Sequence, residues 1–204
     1  GTRIWPSATA AACWIVDERD SDSLADITVL EVGAGTGLCS LALAASGCKS
    51  VLATDVDNTT LRLMKHAAKT QQLTAIRTSH LDLMGTQALP RRDVLIAADV
   101  MYSAPLARSL ARRCVEALGL GMRVVIVDPG RPTRRDFQDE LAMLQINCEF
   151  QETRHAGSFA AWARGSGTAL LGLHVPMADV VECRRRVVRH DAVPDSAKNF
   201  RIEA

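Results

Sequence analysis

The chain has 204 residues, a formal net charge of +1 and 48% hydrophobic residues. This length and apolar content predict one domain with a full core, and neither the near-neutral charge nor any apolar run favours nucleic acid or a membrane as a partner. The six cysteines form no Cys-x-x-Cys motif, and no histidine pair has zinc-ligand spacing, so we expect no metal site and a reducing, cytoplasmic setting.

The first residues predict a helix that precedes the central strand. An extended segment up to Pro6 leads into a helix that ends near Val16. Trp5, just before the proline, is suited to anchor this segment in the core. Residues 17–26 are acidic and polar, which is typical of a surface link between two elements.

The stretch Thr28–Gly37 is the main motif of the chain. It begins as a short, β-branched, apolar strand and ends in a turn with three glycines, and a helix is predicted directly after it. Glycine allows tight backbone angles and a close approach of a ligand to the main chain. The free N–H groups of the following helix point back at the turn. The pattern predicts a small-molecule site at the end of a strand.

The spacing of the glycines and a later aspartate narrow the kind of ligand. A dinucleotide site needs Gly-x-Gly-x-x-Gly, but here the third glycine, Gly37, comes one place early. Asp55 ends the next predicted strand, about twenty residues on, and its carboxylate can accept hydrogen bonds from both hydroxyls of a ribose. We therefore predict a nucleoside-containing cofactor; the alternative is a tight turn and a surface aspartate.

The stretch Val29–Gly37 resembles the first motif of the seven-strand S-adenosylmethionine-dependent methyltransferases. Asp55 matches the acid that closes the second strand in that fold, and the resemblance runs from about residue 5 to residue 174. It implies a Rossmann-like α/β domain over residues 1–177, with a seven-stranded, mostly parallel sheet, an antiparallel last strand and helices on both faces. Residues 178–204 then form a basic C-terminal extension. The resemblance implies S-adenosyl-L-methionine as the cofactor, held by Glu31, Gly33, Gly35, Gly37 and Asp55.

Four more residues match cofactor contacts of that fold. Asp82 and Leu83 follow a short third strand, predicted at 74–79, where the fold has an acid on the adenine edge and a neighbour packed on the ring. Many lysine methyltransferases have tryptophan where Leu83 stands, which implies a thinner adenine wall here. Trp5 matches a tryptophan that lies against the cofactor in one branch, and Ala98 belongs to the same site. Asp82 as a turn residue and Trp5 as a core anchor are the alternatives.

The fourth strand, predicted at 93–98, leads directly to the motif that indicates the acceptor. Asp99 and Tyr102 match the acid-x-x-aromatic motif of the protein-lysine branch, methyltransferase family sixteen. An amine attacks only when neutral, so Asp99 would orient the amine while the ring and hydroxyl of Tyr102 bound the channel. The alternative is an N-cap aspartate with a half-buried tyrosine at the start of the helix predicted at 104–118.

The remaining elements complete the sheet. In the helix predicted at 104–118, after the fourth strand, the solvated face is expected to carry Arg108, Arg112 and Arg113. Arg131 follows the fifth strand in an Asp-Pro-Gly-Arg stretch that resembles enzymes of the same branch, and it either lines the substrate channel or binds a carbonyl. The last two strands are predicted at 147–154 and 168–175.

Together these features predict an S-adenosylmethionine-dependent N-methyltransferase, with a lysine side chain of a partner protein as its acceptor. Asp99 and Tyr102 are the expected catalytic residues and Arg131 the expected substrate residue. A small-molecule amine, another protein side chain, or a non-catalytic cofactor-binding scaffold are the alternatives. The glycine spacing disfavours a nicotinamide-dependent oxidoreductase.

Overall fold

The computed structural model describes residues 6–17, 24–146, 151–153 and 178–183. Helices and strands alternate along this chain, and they are α1 (Pro6–Asp17), β1 (Thr28–Val32), α2 (Leu38–Ala45), β2 (Ser50–Asp55), α3 (Asn58–Thr70), β3 (Ile76–His80), β4 (Val94–Ala98), α4 (Ala104–Gly119), β5 (Arg123–Asp128), α5 (Arg134–Met143), β6 (Gln151–Thr153) and β7 (Ala178–Cys183). Trp5, the strand predicted at 168–175 and residues 184–204 lie outside the described residues.

One sheet organises the molecule, with the strand order β3-β2-β1-β4-β5-β7-β6. Strands β1 to β5 are parallel to one another. The backbone of β7 runs antiparallel to β5, and β6 runs antiparallel to β7. The prediction of a Rossmann-like α/β fold with a mostly parallel sheet is confirmed.

Both faces of the sheet are covered, because successive residues of its central strands point to opposite sides. In β5, Val124 and Ile126 join the core that packs against α4 and α5, whereas Val125 and Val127 join the core that packs against α1 and α2. This is why β4 and β5 are continuous apolar runs rather than alternating ones. Burying each such side chain contributes about 1.5–3 kcal/mol, so the sheet is a stable platform for the loops at its ends.

The described C-terminal segments contain two strands. The segment Gln151–Thr153 lies inside the strand predicted at 147–154, and Ala178–Cys183 is a strand within the predicted extension, whereas the strand predicted at 168–175 falls on residues that the structure does not describe. The extension that we predicted to begin at residue 178 therefore begins with a strand of the sheet, paired with β5. Arginines at 184–186 gave this segment the composition of a tail, and the short apolar pair Val180–Val181 was too weak a local signal to outweigh them.

Candidate functional site

The candidate site is built from loops at one edge of the sheet. Parallel strands end on the same side, so the carboxyl ends of β1 to β5 all meet there. The strand register pairs Val32 with Thr54 on one side and with Ala97 on the other. The segments that follow β1, β2 and β4 therefore come together, and they carry the glycine loop, Asp55 and Asp99.

The three glycines of the loop all have left-handed backbone conformations. Their φ angles are 68° at Gly33, 52° at Gly35 and 79° at Gly37. A Cβ atom added at Gly33 would lie 2.8 Å from a methyl carbon of Val100, and one added at Gly37 would lie 2.5 Å from Cγ of Met64. Glycine is required here by its backbone angles and by the close packing, and the main chain is consequently the nearest surface to any ligand in this loop.

Asp55 ties the glycine loop to the end of β2. One of its carboxylate oxygens accepts a hydrogen bond from the Gly35 amide at 2.8 Å, and the other accepts from the Asp57 amide at 2.9 Å. An ionised carboxylate has about four lone-pair sites, so both oxygens can still accept bonds from ribose hydroxyls. The residue therefore shapes the loop in addition to the ribose contact predicted for it.

Glu31 lies beneath the loop rather than on its surface. It is 1% exposed, and its carboxylate accepts a hydrogen bond from the hydroxyl of Ser40 in α2. Burial raises the pKa of Glu31 to about 7, against the opposing effect of the bonds from Ser40. Side chains on the α2 face of β1 include Val29 and Glu31, because residues two apart in a strand share a face. Glu31 therefore holds the start of α2, directly after the glycine loop, from within the core.

The segment after β3 brings the two predicted adenine residues to the same edge. Leu83 is buried and Asp82 is exposed. A carboxylate oxygen of Asp82 accepts from the Met84 amide at 2.9 Å, so the residue does form a turn. The Leu81 amide donates to the carbonyl of Asp55 at 3.1 Å, which joins this segment to the end of β2. Val56, directly after Asp55, is 56% exposed and offers an apolar surface there that sequence reasoning missed.

Arg113 was expected on the solvated face of α4, and that prediction is wrong. The residue is 7% exposed, and its guanidinium forms an ion pair with Glu116 at 2.7 Å. It also donates hydrogen bonds to the carbonyls of Asp82, Leu83, Gly85 and Gln87. Arg113 stands three positions after the buried Leu110, which places it at the edge of the apolar stripe of the helix. That spacing is the feature of the sequence from which the burial of Arg113 could have been predicted. The guanidinium contacts the segment that carries the two predicted adenine residues.

The other two arginines of α4 are more exposed and pair with α5. Arg108 contacts Asp136 at 2.5 Å, and Arg112 contacts Glu140 at 2.8 Å. These pairs link the two helices on one face of the sheet. They lie outside the segments that form the candidate site.

Asp99 follows β4 and has a left-handed backbone with φ of 58°. Aspartate tolerates this conformation better than most residues, and the bond from its amide to the Val127 carbonyl at 2.8 Å holds it in place. Its side chain is 2% exposed and accepts a hydrogen bond from Nε of Arg131 at 2.5 Å. Asp99 does not cap α4, since the N-cap position belongs to Ser103. The capping alternative is therefore wrong for Asp99.

Tyr102 and Ala98 flank Asp99 along the chain. Tyr102 is 65% exposed, more open than the half-buried tyrosine of the structural alternative. Its amide donates to the Val100 carbonyl at 3.0 Å, so the two residues form a tight turn. Ala98 is half-buried at the last position of β4, where it pairs with Val127. The side chain of Tyr102 is thus available at the surface, three residues after the buried Asp99.

Asp128, at the end of β5, shapes the turn that carries Arg131. It is fully buried, and one carboxylate oxygen accepts from the amides of Gly130 and Arg131, both at 2.9 Å, and from Nε of Arg134 at 3.0 Å. Its other carboxylate oxygen is buried and accepts no hydrogen bond from the described residues. The hydroxyl of Thr133 donates to the Met101 carbonyl, which joins this turn to the loop after β4. Sequence reasoning gave Asp128 little weight, because such turns are common.

The contact with Asp99 raises the pKa of Arg131, mainly through the hydrogen bond between the two side chains. The sequence suggested that Arg131 lines the substrate channel or binds a carbonyl. The ion pair with Asp99, the candidate catalytic aspartate, was not predicted.

A separate groove of about 670 Å³ lies between α3 and β3, away from the loops described above. Its lining includes Lys65, Lys69 and Arg77 around the apolar side chains of Leu73 and Ile76. Within the described ranges, the structure has no cluster of three or more histidine, cysteine, aspartate or glutamate residues that could hold a metal ion. Nor does any helix in those ranges have the length and hydropathy needed to cross a membrane.

The strand order and the glycine loop define the fold of the S-adenosylmethionine-dependent methyltransferases. Solved structures with this fold include a ribosomal protein L11 methylase from Lactobacillus delbrueckii, with a TM-score of 0.60 and 18% identity over 88% of this chain and 79% of that one. Another is a TehB-like methyltransferase from Corynebacterium glutamicum, with a TM-score of 0.58 and 18% identity over 91% and 90% of the two chains. A magnesium protoporphyrin IX methyltransferase from Synechocystis with bound S-adenosylmethionine has a TM-score of 0.58 and 16% identity over 87% and 78%.

The family model for lysine methyltransferases matches residues 1–135, and the chain belongs to that family. The rat electron transfer flavoprotein beta subunit lysine methyltransferase is 30% identical over 131 residues, which cover 63% of this chain and 49% of that protein. The mouse protein-lysine methyltransferase METTL21E is 30% identical over 122 residues, 54% of this chain and 48% of that protein. The family prediction is confirmed, and the chain spans about half the length of the curated relatives it matches.

Proposed function

We propose that this chain transfers methyl groups from S-adenosyl-L-methionine to the side-chain amine of a lysine in a partner protein. The observation that carries the proposal is the buried Asp99 at the carboxyl edge of the sheet, with the exposed ring of Tyr102 three residues later. Membership of the lysine methyltransferase family supports the choice of acceptor. The two curated relatives named above are both protein-lysine methyltransferases.

The described residues fit the cofactor. The left-handed glycine loop presents main-chain atoms, and the carboxylate of Asp55 keeps acceptor capacity beside it. We assign the ribose to Asp55, the adenine to the surface around Asp82, Leu83 and Val56, and the support of the loop to Glu31. Ala98 and Trp5 complete the proposed contacts. When bound, the cofactor supplies an electrophilic methyl group.

The acceptor chemistry explains why an aspartate and a tyrosine suit this position. Lysine in water has a pKa of about 10.4, so its amine is mostly protonated and unreactive near neutral pH. Methyl transfer is an in-line displacement, and its rate depends on how well the attacking nitrogen is aimed. Asp99 accepts a hydrogen bond from the amine and orients its lone pair. Tyr102 bounds the approach with its ring and offers its hydroxyl as a partner.

We further propose that the catalytic domain extends from α1 through β7 as a seven-stranded sheet with an antiparallel edge, followed by a basic extension. The backbone pairing of β7 with both β5 and β6 supports this. The buried thiols of Cys39, Cys48 and Cys114 suit a reducing compartment, for which we propose the cytoplasm.

The test is to incubate the purified chain with methyl-labelled S-adenosylmethionine and a lysate of its own source, beside the Asp99→Asn variant. We expect a discrete protein band that carries methyl-lysine on hydrolysis and that the variant does not produce. Label confined to the small-molecule fraction would replace the protein acceptor with an amine metabolite. Cofactor binding without transfer to any fraction would favour a cofactor-binding scaffold instead.

A further inference from the structure

The aspartate of the acceptor site creates a problem of charge. A carboxylate close to an amine stabilises the ammonium form and so raises the pKa of that amine. The reaction needs the neutral form, because only the neutral nitrogen has a lone pair to attack with. An uncompensated Asp99 would therefore bind the acceptor lysine in its unreactive state. Burial makes this effect larger, since the side chain of Asp99 is 2% exposed and a charge there is poorly screened by water.

Arg131 supplies the opposite charge at this place. Its Nε lies 2.5 Å from one carboxylate oxygen of Asp99, and its side chain is 28% exposed. A guanidinium stays protonated at any pH at which a protein is folded. The contact engages one oxygen of Asp99 with the guanidinium, and the pair presents little net charge to an incoming amine.

The turn after β5 holds Arg131 in this position. Asp128 accepts hydrogen bonds from the main-chain amides of Gly130 and Arg131 and from the side chain of Arg134. The four ionised groups at the ends of β4 and β5 are therefore two acids and two arginines. Tyr102 is the other titratable group in the loop after β4. The charge of Asp99 is thus balanced by a built arrangement rather than by one mobile surface side chain.

We propose that Arg131 is a positioning residue that neutralises Asp99, so that the carboxylate orients a neutral lysine amine instead of retaining an ammonium ion. This rests on the proposed function. In the reaction the ammonium first loses a proton to water. The nitrogen lone pair then forms the new N–C bond, while the C–S bond breaks and its electron pair remains on sulfur. Arg131 acts on the first step, by lowering the pKa of the bound amine.

The proposal predicts the direction in which the pH dependence of kcat shifts when Arg131 is replaced. In Arg131→Gln the bound amine sits beside an uncompensated carboxylate, so its pKa rises and the acidic limb of the kcat profile moves to higher pH. A neighbouring charge shifts a pKa by about 1–3 units. We therefore expect kcat to fall at least about 10-fold at pH 7.5 and to recover toward the parent value as pH approaches about 10. Arg131→Lys keeps the charge and should restore much of the parent profile.

The experiment measures initial methyl transfer into the band labelled in the lysate test, at saturating cofactor and from about pH 6.5 to about pH 10. Arg108→Gln is the matched control, because it removes an arginine–aspartate contact of the same length outside the site. Its pH profile should match that of the parent chain. Melting temperature and S-adenosylhomocysteine affinity, measured for each variant, show that the fold and the cofactor half are intact.

A double variant makes the test specific to charge. In Asp99→Asn the guanidinium of Arg131 is left without its carboxylate, so the acidic limb of the residual activity should move to lower pH, and adding Arg131→Gln should return it to near the parent position. An Arg131→Gln profile that keeps the parent pH limb, with kcat lowered equally at every pH, would overturn the charge proposal while the methyltransferase assignment stands. Absence of transfer by the parent chain itself would instead remove the proposed function and this inference with it.

Discussion

The proposed cofactor half of the carboxyl edge and its proposed acceptor half are built in different ways. In the cofactor half the main chain provides the surface, through three left-handed glycines whose loop is tied to Asp55. In the acceptor half, side chains of opposite charge provide it, through the pairs of Asp99 with Arg131 and Asp128 with Arg134. A surface made of main chain is specified by a local motif with fixed spacing. A surface made of ion pairs requires residues from different loops to meet.

The largest expected effect would separate the two halves. Asp99→Asn keeps the size of the side chain and a residue that tolerates the φ angle of 58°, but it removes the charge. We expect methyl transfer to fall at least about 100-fold, because the amide has one acceptor oxygen instead of two and the N–H donor of Arg131 competes with the amine for it. The affinity for S-adenosylhomocysteine, measured by calorimetry, should stay within about twofold, because Asp99 is not one of the proposed cofactor contacts. A loss of one such contact worth about 1.4 kcal/mol would lower the affinity tenfold. Equal losses in transfer and affinity would show that the two halves are not separable.

Arg113 tests whether the cofactor half depends on main chain alone. Arg113→Met keeps the apolar stem but leaves Glu116 and the carbonyls of Leu83, Gly85 and Gln87 without the guanidinium. Removing one partner of such a buried network costs about 3 kcal/mol, and the segment that carries Asp82 and Leu83 should lose its shape. We expect this loss in urea unfolding together with weaker cofactor binding.

The matched control is Arg108→Met, on the same helix. The side chains of Arg108 and Asp136 are 42% and 30% exposed in their pair, so losing it should change the unfolding free energy by about 1 kcal/mol or less. Similar losses in the two variants would mean that the buried contacts of Arg113 are not what stabilises the segment.

A pair of glycine variants would sharpen the description of the loop. Both Gly37 and Gly47 have left-handed backbones, but a Cβ at Gly37 meets Met64 at 2.5 Å, whereas a Cβ at Gly47 meets no atom within 4 Å. Gly47→Ala therefore reports backbone strain alone, on the order of 1 kcal/mol. Gly37→Ala should lower the melting temperature further and abolish measurable cofactor binding. Equal behaviour of the two variants in both assays would contradict a special role for the loop.

The buried Glu31 should cause a smaller effect, a decrease of the unfolding free energy with rising pH. Its pKa is raised from 4.5 to about 7 in the folded protein. At a pH between these two values, the folded state therefore holds a proton that the unfolded state has released. Stability should therefore fall as pH rises from about 4.5 to about 7, by roughly 1–3 kcal/mol. Glu31→Gln removes the titration, so its unfolding free energy should lack this decline. The same decline in both proteins would assign it to other groups.

Asp93 titrates in another window and does not mask this effect. Hydrogen bonds from Thr28 lower the pKa of Asp93 below its usual value. The stability that Asp93 contributes is present above the unfolded pKa and is lost only as pH falls below about 4. The difference between the parent chain and Glu31→Gln from pH 5 to pH 7 therefore reports Glu31.

The sequence by itself determined the order of the elements, the parallel sheet and the cofactor loop. Continuous apolar runs and the spacing of three glycines are local signals, and each of them follows directly from strand geometry or backbone angles. The pairing of Ala178–Cys183 with the sheet was not predicted, because Val180 and Val181 are a short apolar pair beside a run of arginines and their partners in β5 lie more than fifty residues earlier.

Only the tertiary structure decided what the charged residues do. Arg108, Arg112 and Arg113 look alike in sequence, yet one is buried under the adenine segment, because its position on the helix meets a loop that starts thirty residues earlier. Likewise Asp99 and Arg131 are 32 positions apart and meet because β4 and β5 are neighbours in the sheet. Charge acts through distance and burial, and neither quantity is encoded in the spacing of residues along the chain.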